Sequence, residues 1–425
     1  MLCLVFLFAG STAFSQTTTF KFDFGSGKVA KGFTGLSPKN IYSEETGYGF
    51  EPSTPVTAVD RGGKDALTRD FVTSEKPFYF SVKVPEGNYR VRVTLGDRKG
   101  KTATTVKAES RRLMLEKVQT NAGEFATKTF LVHIKDRKID HTKQVKLKTR
   151  ELTKLDWDNK LSLEFDLETA VNALEITKVE DQITVFLAGN STVVNQENEP
   201  WASWGQMIPR FFKPGVAIAN HAESGLSLGS FISGNRLEKI LSVMKPGDFV
   251  FVEFGHNDAK EKGPDAGPYK SYTERLQVFA REVKKRQGTL VILTPTARRS
   301  FKEGKMTNSH GDFPDAARKV AREENVPLID LTAHTTTLYE TLGEEGSKKA
   351  FVIYPELNLN DNTHFNTYGA YQIAKIVAEG IKSNKLKLAA YLVEMPAYSP
   401  SRPDAFETFS WPPSPQSSVV KPDGN

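Results

Sequence analysis

Near residue 181 the hydrophobic pattern of this chain changes period, and the change limits it to two units of different class. Before that point, short segments alternate apolar and polar residues: 19–25 (TFKFDFG), 78–84 (FYFSVKV), 89–96 (YRVRVTLG), 130–134 (FLVHI) and 161–167 (LSLEFDL). Alternation at period two, broken by turn residues and without helical stretches between, predicts an antiparallel β-sandwich. After it, near-continuous apolar runs at 183–188, 216–220, 248–255, 289–294 and 326–331 alternate with amphipathic helical stretches at 201–212, 231–244, 272–286, 314–325 and 367–381. Buried strands alternating with helices predict a parallel sheet covered on both faces, hence an α/β domain. Ligands of such sheets bind beyond the carboxyl ends of the strands. The strand at 173–180 runs almost directly into 181, so the two units are expected to pack together.

With 425 residues, the expected division is a leader over 1–15, a sandwich over 17–180, a catalytic domain over 181–390 and a Pro/Ser-rich extension over 391–425. The extension is either strapped down or a disordered end. The leader reading rests on the short apolar run from Leu2 followed by the small residues Ala13 and Ser15, which predicts a secreted or periplasmic protein. The single cysteine, Cys3, lies inside that run, so disulfides, a cysteine nucleophile and thiolate metal sites are excluded downstream. No stretch is long and apolar enough to predict a membrane span. The net charge of +6 can attract nucleic acid, anionic lipid or an acidic polysaccharide, and no nucleic-acid motif accompanies it. Its densest basic run, Lys135 to Arg150, reads as a solvated face.

Four patches carry chemistry. Gly189-Asn190-Ser191-Thr192 turns sharply after the first strand, exposing a hydroxyl beside free backbone N–H groups. Gly225 follows the second strand and Gly255-His256-Asn257-Asp258 the third, where a backbone N–H and an asparagine amide can donate to an oxyanion. Asp361-Asn362-Thr363-His364 precedes the last helix, with a carboxylate three residues from an imidazole whose tautomer it can fix. Each alone reads equally as a turn or cap; together they form the inventory of a serine esterase. His256 and His310 are the rival histidines. Gly225-Leu226-Ser227-Leu228-Gly229 matches the G-x-S-x-G pattern, but it follows only the second strand and no oxyanion loop precedes it.

These patches, in this order, resemble the SGNH (GDSL-type) hydrolase superfamily, with Ser191, Gly225, Asn257 and His364 as its four residues over about 181–385. Segments 185–194, 201–212, 254–260 and 361–374 look most like the rhamnogalacturonan acetylesterases of carbohydrate esterase family 12. One departure is Asn190, where the family usually has aspartate. The resemblance implies a three-layer α/β/α domain and removal of acetyl groups from a pectic polysaccharide. Ser191 would be the nucleophile, His364 the base, Asp361 its partner, and Ser191, Gly225 and Asn257 the oxyanion hole, with no metal or cofactor. The preceding sandwich looks like a galactose-binding-like module. Arg298, Arg299 and His310, on the loop after the fourth strand, are the candidate holders of a uronate carboxylate. The alternatives are a lipase or thioesterase on the same fold, or a non-catalytic carbohydrate-binding protein.

Overall fold

The computed structural model describes residues 18–52, 55–166 and 168–423; the expected leader lies outside the described residues. The alternating segments form two facing sheets. One runs Ala126–Ile134, Gly87–Leu95, Val171–Val179, Thr19–Phe24, Thr34–Leu36, with Asp70–Thr73 and Thr57–Asp60 attached beside it. The other runs Tyr48–Phe50, Phe78–Lys83, Lys160–Phe165, Thr102–Ala108, Arg112–Thr120. Strand pairs of the sandwich are antiparallel except Phe22–Phe24, which pairs in parallel with Thr34–Leu36. Period two places Phe22 and Phe24 on one inner face, where both meet Phe80 of the opposite sheet edge-on, with ring centroids 5.2 and 5.1 Å apart. Burial of each ring is worth about 1.5–3 kcal/mol, and edge-to-face geometry adds about 0.5–1.5 kcal/mol per pair.

The five later apolar runs form one parallel sheet. Its strands are β1 (Ile183–Gly189), β2 (Val216–Asn220), β3 (Phe249–Glu253), β4 (Thr289–Leu293) and β5 (Leu328–Ile329), in the order β2-β1-β3-β4-β5. Its helices are α1 (Trp204–Met207), α2 (Leu228–Ser233), α3 (Arg236–Val243), α4 (Thr273–Lys285), α5 (Phe313–Glu323), α6 (Leu331–Gly346) and α7 (Thr367–Ser383). Side chains alternate between two cores. Val185, Leu187, Phe249 and Phe251 face α1, α6 and α7, whereas Phe186, Ala188, Val250 and Val252 face α2 to α5. This is the three-layer α/β/α arrangement. The stretch 231–244 is not one helix: α2 ends at Gly234, and Asn235, at φ 62°, starts α3 in a new direction. Among the described residues no helix is long and apolar enough to cross a membrane.

Glu180, Asp181 and Gln182 alone separate the last sandwich strand from β1. Buried arginines close the junction. Arg112 Nη1 donates to Ile218 O at 2.8 Å, Arg111 Nη1 to Trp201 O at 2.8 Å, and Arg236 pairs with Glu151 at 2.5 Å. Removing one partner of such a buried pair typically destabilises by about 3–5 kcal/mol, so the two units are held as one body. The Pro/Ser-rich extension is strapped across both. Lys107 Nζ donates to Pro412 O at 3.0 Å, Ser414 Oγ bonds Glu164 at 2.7 Å, Tyr79 Oη bonds Gln416 at 2.7 Å, and Trp201 Nε1 donates to Ser418 O at 2.8 Å.

Candidate active site

Ser191 lies just beyond β1, buried, on a single turn closed by Val193 and Val194 N–H groups donating to Asn190 O at 3.1 and 2.9 Å. Asn190 shapes this turn: its Oδ1 accepts from Thr192 N at 3.1 Å and lies 2.9 Å from Thr192 Oγ1. Behind it is the fully buried Glu253, which ends β3 and accepts from Trp204 Nε1 at 2.6 Å and Thr296 N at 3.0 Å, with Thr192 Oγ1 at 3.1 Å. Burial pushes the Glu253 carboxyl upward against these hydrogen bonds. An aspartate at 190 would set a second carboxylate on the same threonine. The neutral amide avoids that repulsion and keeps the turn.

The second and third patches meet beyond β2 and β3. Gly225 takes φ +79°, a conformation in which a side chain is strained. Asn257 Nδ2 donates to Leu226 O at 3.0 Å, which fixes the amide plane and leaves its second N–H. Asp258 anchors the corner by accepting from Gly255 N and Leu228 N, both at 2.9 Å. Burial raises its carboxyl to about 7. Ser227 is the N-cap of α2: its hydroxyl accepts from Ser230 N and bonds Glu261 at 2.6 Å, which occupies it structurally.

The fourth patch is not a turn but a strand. Leu359–Phe365 pairs with Phe351–Tyr354 as a short hairpin leading into α7. Asp361 Oδ1 accepts from Thr363 N at 2.8 Å and His364 N at 2.9 Å, and Oδ2 lies 2.8 Å from His364 Nδ1. Burial pushes this carboxyl up, but bonding to His364 and the two backbone N–H groups outweighs it and holds Asp361 well below the usual carboxylate range. The imidazole is thereby fixed with Nε2 directed away from Asp361. The Trp201 ring meets it edge-on, centroids 5.7 Å apart, and Ala202 N donates to Phe365 O at 2.8 Å, tying the serine segment to the histidine strand.

Among the described residues neither rival histidine has a carboxylate partner. His256 and His310 stack edge-on at 4.4 Å, and no hydrogen bond reaches either nitrogen of His256 among the described residues. Burial, then Arg298, pushes His310 down to about 4. Arg298, half-buried, lies 3.3 Å from His310 Nδ1 and donates to His256 O at 3.3 Å, and the charge of Asp361 reaches it. Arg299 is directed elsewhere, its guanidinium bonded to Ser347 Oγ and Glu344 O. A different set of cations reaches the cleft. A cavity of about 210 Å³ is lined by Arg150 and Lys154 from the sandwich unit, Glu197, Trp201 and Ser224, and Lys421 from the extension. Sequence reading missed Glu253 and these lysines and arginine. The first had a visible signal, an acidic residue closing the otherwise apolar Phe249–Val252 run; the others had none beyond charge.

Fold and motif order together define an ester hydrolase of the three-layer α/β/α class. The chain matches the GDSL-like lipase/acylhydrolase family over residues 187–370 and the β-agarase/YxiM esterase-like, galactose-binding domain-like family over residues 20–146. A rhamnogalacturonan acetylesterase of Bacillus subtilis, RhgT, is 40% identical over 222 residues, which is 50% of this chain and 94% of that protein. The uncharacterised esterase YxiM of Bacillus subtilis is 27% identical over 396 residues, 90% of this chain and 95% of that one. A crystal structure of the YxiM protein is 25% identical, covers 87% of this chain and 99% of its own, and superposes with a TM-score of 0.47. The chain belongs to the GDSL-like lipase/acylhydrolase family and is an esterase, preceded by a galactose-binding-like domain.

Proposed function

We propose that this esterase removes acetyl groups from an acidic pectic polysaccharide of the rhamnogalacturonan type through an acetyl-serine intermediate. The Asp361–His364 pair carries the reading, because a buried carboxylate 2.8 Å from Nδ1 is what a general base needs to present Nε2. In this account His364 takes the Ser191 proton as Oγ bonds to the acetyl carbonyl carbon. The oxyanion is held by the Ser191 and Gly225 N–H groups and the Asn257 amide. Collapse breaks the ester C–O bond, and the imidazolium returns its proton to the departing sugar oxygen. Water, deprotonated by His364, then attacks the acetyl carbon; acetate leaves and Ser191 regains its proton.

Two observations support the substrate class: the 40% identity to RhgT across the catalytic domain, and the cationic cleft beside Gly225. Acetate release from acetylated rhamnogalacturonan, measured beside acetylated xylan and p-nitrophenyl acetate, tests it. The expected result is fastest release from the pectic polymer, abolished by Ser191→Ala. A polymer left untouched while the small ester is cleaved would refute the substrate; a fully active Ser191→Ala would refute the nucleophile.

A further inference from the structure

Lys148 and Arg150 belong to the first unit but end beside Ser224 and Gly225 of the second. Lys148 Nζ donates to Ser224 O at 2.7 Å and Arg150 Nη2 to the same oxygen at 2.8 Å, which places both cations next to Gly225. The buried Glu223 is shared by Arg150, at 2.7 Å, and Lys154, at 2.9 Å. Two cations therefore pair with one buried carboxylate while a third, Lys148, sits on the adjoining Ser224 carbonyl, an excess of positive charge that calls for another anion. The extension supplies it: Asp423 pairs with Arg150 and lies 3.5 Å from Lys148 Nζ. Glu197, the other acid on the wall, has its carboxyl pushed up by burial, with Lys154 and Arg150 acting against that.

The position matters as much as the charge. A Cβ built on Gly225 would lie 3.0 Å from both Lys148 Nζ and Asp423 Cβ, so the Lys148 ammonium and the Asp423 residue both pack on the residue assigned to the oxyanion. The Asp423 side chain is 58% exposed, against 32% for each cation, so it is the partner that can leave. Its neighbour Lys421 reaches Asp361 at 3.2 Å, so the same segment covers both halves of the site.

We propose that Lys148 and Arg150 form the subsite for the uronate carboxylate of the substrate, and that the Asp423 carboxylate holds this subsite until substrate displaces it. This rests on the pectic-ester reading above and deepens it: the sandwich unit contributes to specificity, and the extension competes with substrate. On a uronate chain the carboxylate and the acetylated hydroxyls lie on one ring or its neighbour, so a cation pair beside the oxyanion position selects acidic over neutral esters.

The test is inhibition of p-nitrophenyl acetate hydrolysis by a galacturonate dimer. Lys148→Gln and Arg150→Gln should each raise the inhibition constant by about ten- to a hundredfold, as expected for a lost hydrogen bond to a charged group, and Lys148→Arg should restore much of it. Asp423→Asn should tighten inhibition severalfold in the wild type and not in Lys148→Gln. An inhibition constant unmoved in both glutamine variants, or a wild type insensitive to the dimer, would overturn the subsite. Acetate release from the polymer by the same wild-type preparation separates the two readings. Activity on the polymer with an unmoved constant sinks the subsite alone. Inhibition through Lys148 without activity on the polymer keeps the subsite and sinks the assigned substrate.

Discussion

Asn257 is the residue at which the proposed chemistry and the backbone are most closely joined. One amide hydrogen is committed to Leu226 O, so the second has a fixed direction and pays no reorganisation when charge develops nearby. Asn257→Ala is expected to lower turnover by about 10²–10³, with a smaller effect on KM, as read from steady-state rates on p-nitrophenyl acetate. Unaltered turnover would remove the amide from the mechanism. The Asp361–His364 contact was legible in the sequence, because a carboxylate three residues from an imidazole is a local pattern. Lys148 and Arg150 were not legible. They sit in a basic run whose ordinary role is a solvated face, and only the folding of one unit over the other turns two of its charges into a cleft.

At the scale of elements, the hairpin before α7 positions the imidazole, and Asn366 joins the two. Its Oδ1 accepts from Gly369 N at 3.1 Å as the N-cap of α7, while Nδ2 donates to Phe351 O at 3.1 Å and Lys349 O at 2.8 Å. Asn366→Ala should lower stability by about 0.5–2 kcal/mol, measured by urea unfolding, and reduce turnover because His364 lies two residues away. An unfolding midpoint equal to wild type would show that the cap carries no such load. The five parallel strands and four of the helical stretches were readable from hydrophobic period. The hairpin was not, because only Leu359, Asn360 and Phe365 pair in register with Phe351–Tyr354, and the polar Asp361 to His364 fall where that register shifts. Helix α6 was missed because Thr332, Thr335, Thr336 and Thr337 weaken its helical signal; Asp330 compensates by capping Ala333 N at 3.2 Å.

Across the whole molecule, buried acids and buried histidines pull the pH dependence of stability in opposite directions. Burial raises Asp23 and Asp166 to about 6 and Asp258 to about 7. For a raised acid, the folded state holds a proton that the unfolded chain releases near pH 4, so stability falls as pH rises from about 4 through 7. Asp361, held low, acts oppositely: its contribution is present above the ordinary carboxylate range and is lost as pH falls below it. The buried histidines His133, His221, His256 and His310, held below the ordinary imidazole range, oppose the raised acids, because the unfolded chain takes up their protons as pH falls below about 6.5. The acid contribution is therefore read by difference: Asp258→Asn should shift the balance of Tm between pH 5 and pH 8 toward pH 8 relative to wild type, by differential scanning calorimetry in matched salt, and an unchanged balance would contradict a raised Asp258. The strapped extension and the buried arginine junction bind both units into one cooperative body, so a single transition is expected in the same scan.

Labelling with a serine-reactive fluorophosphonate, with the modified peptide mapped by mass spectrometry, reads out whether Ser191 is the nucleophile of this esterase. One adduct on Ser191 is expected, formed by the wild type and lost in both Ser191→Ala and His364→Ala. An adduct on Ser227, or undiminished labelling of Ser191→Ala, would contradict that role for Ser191.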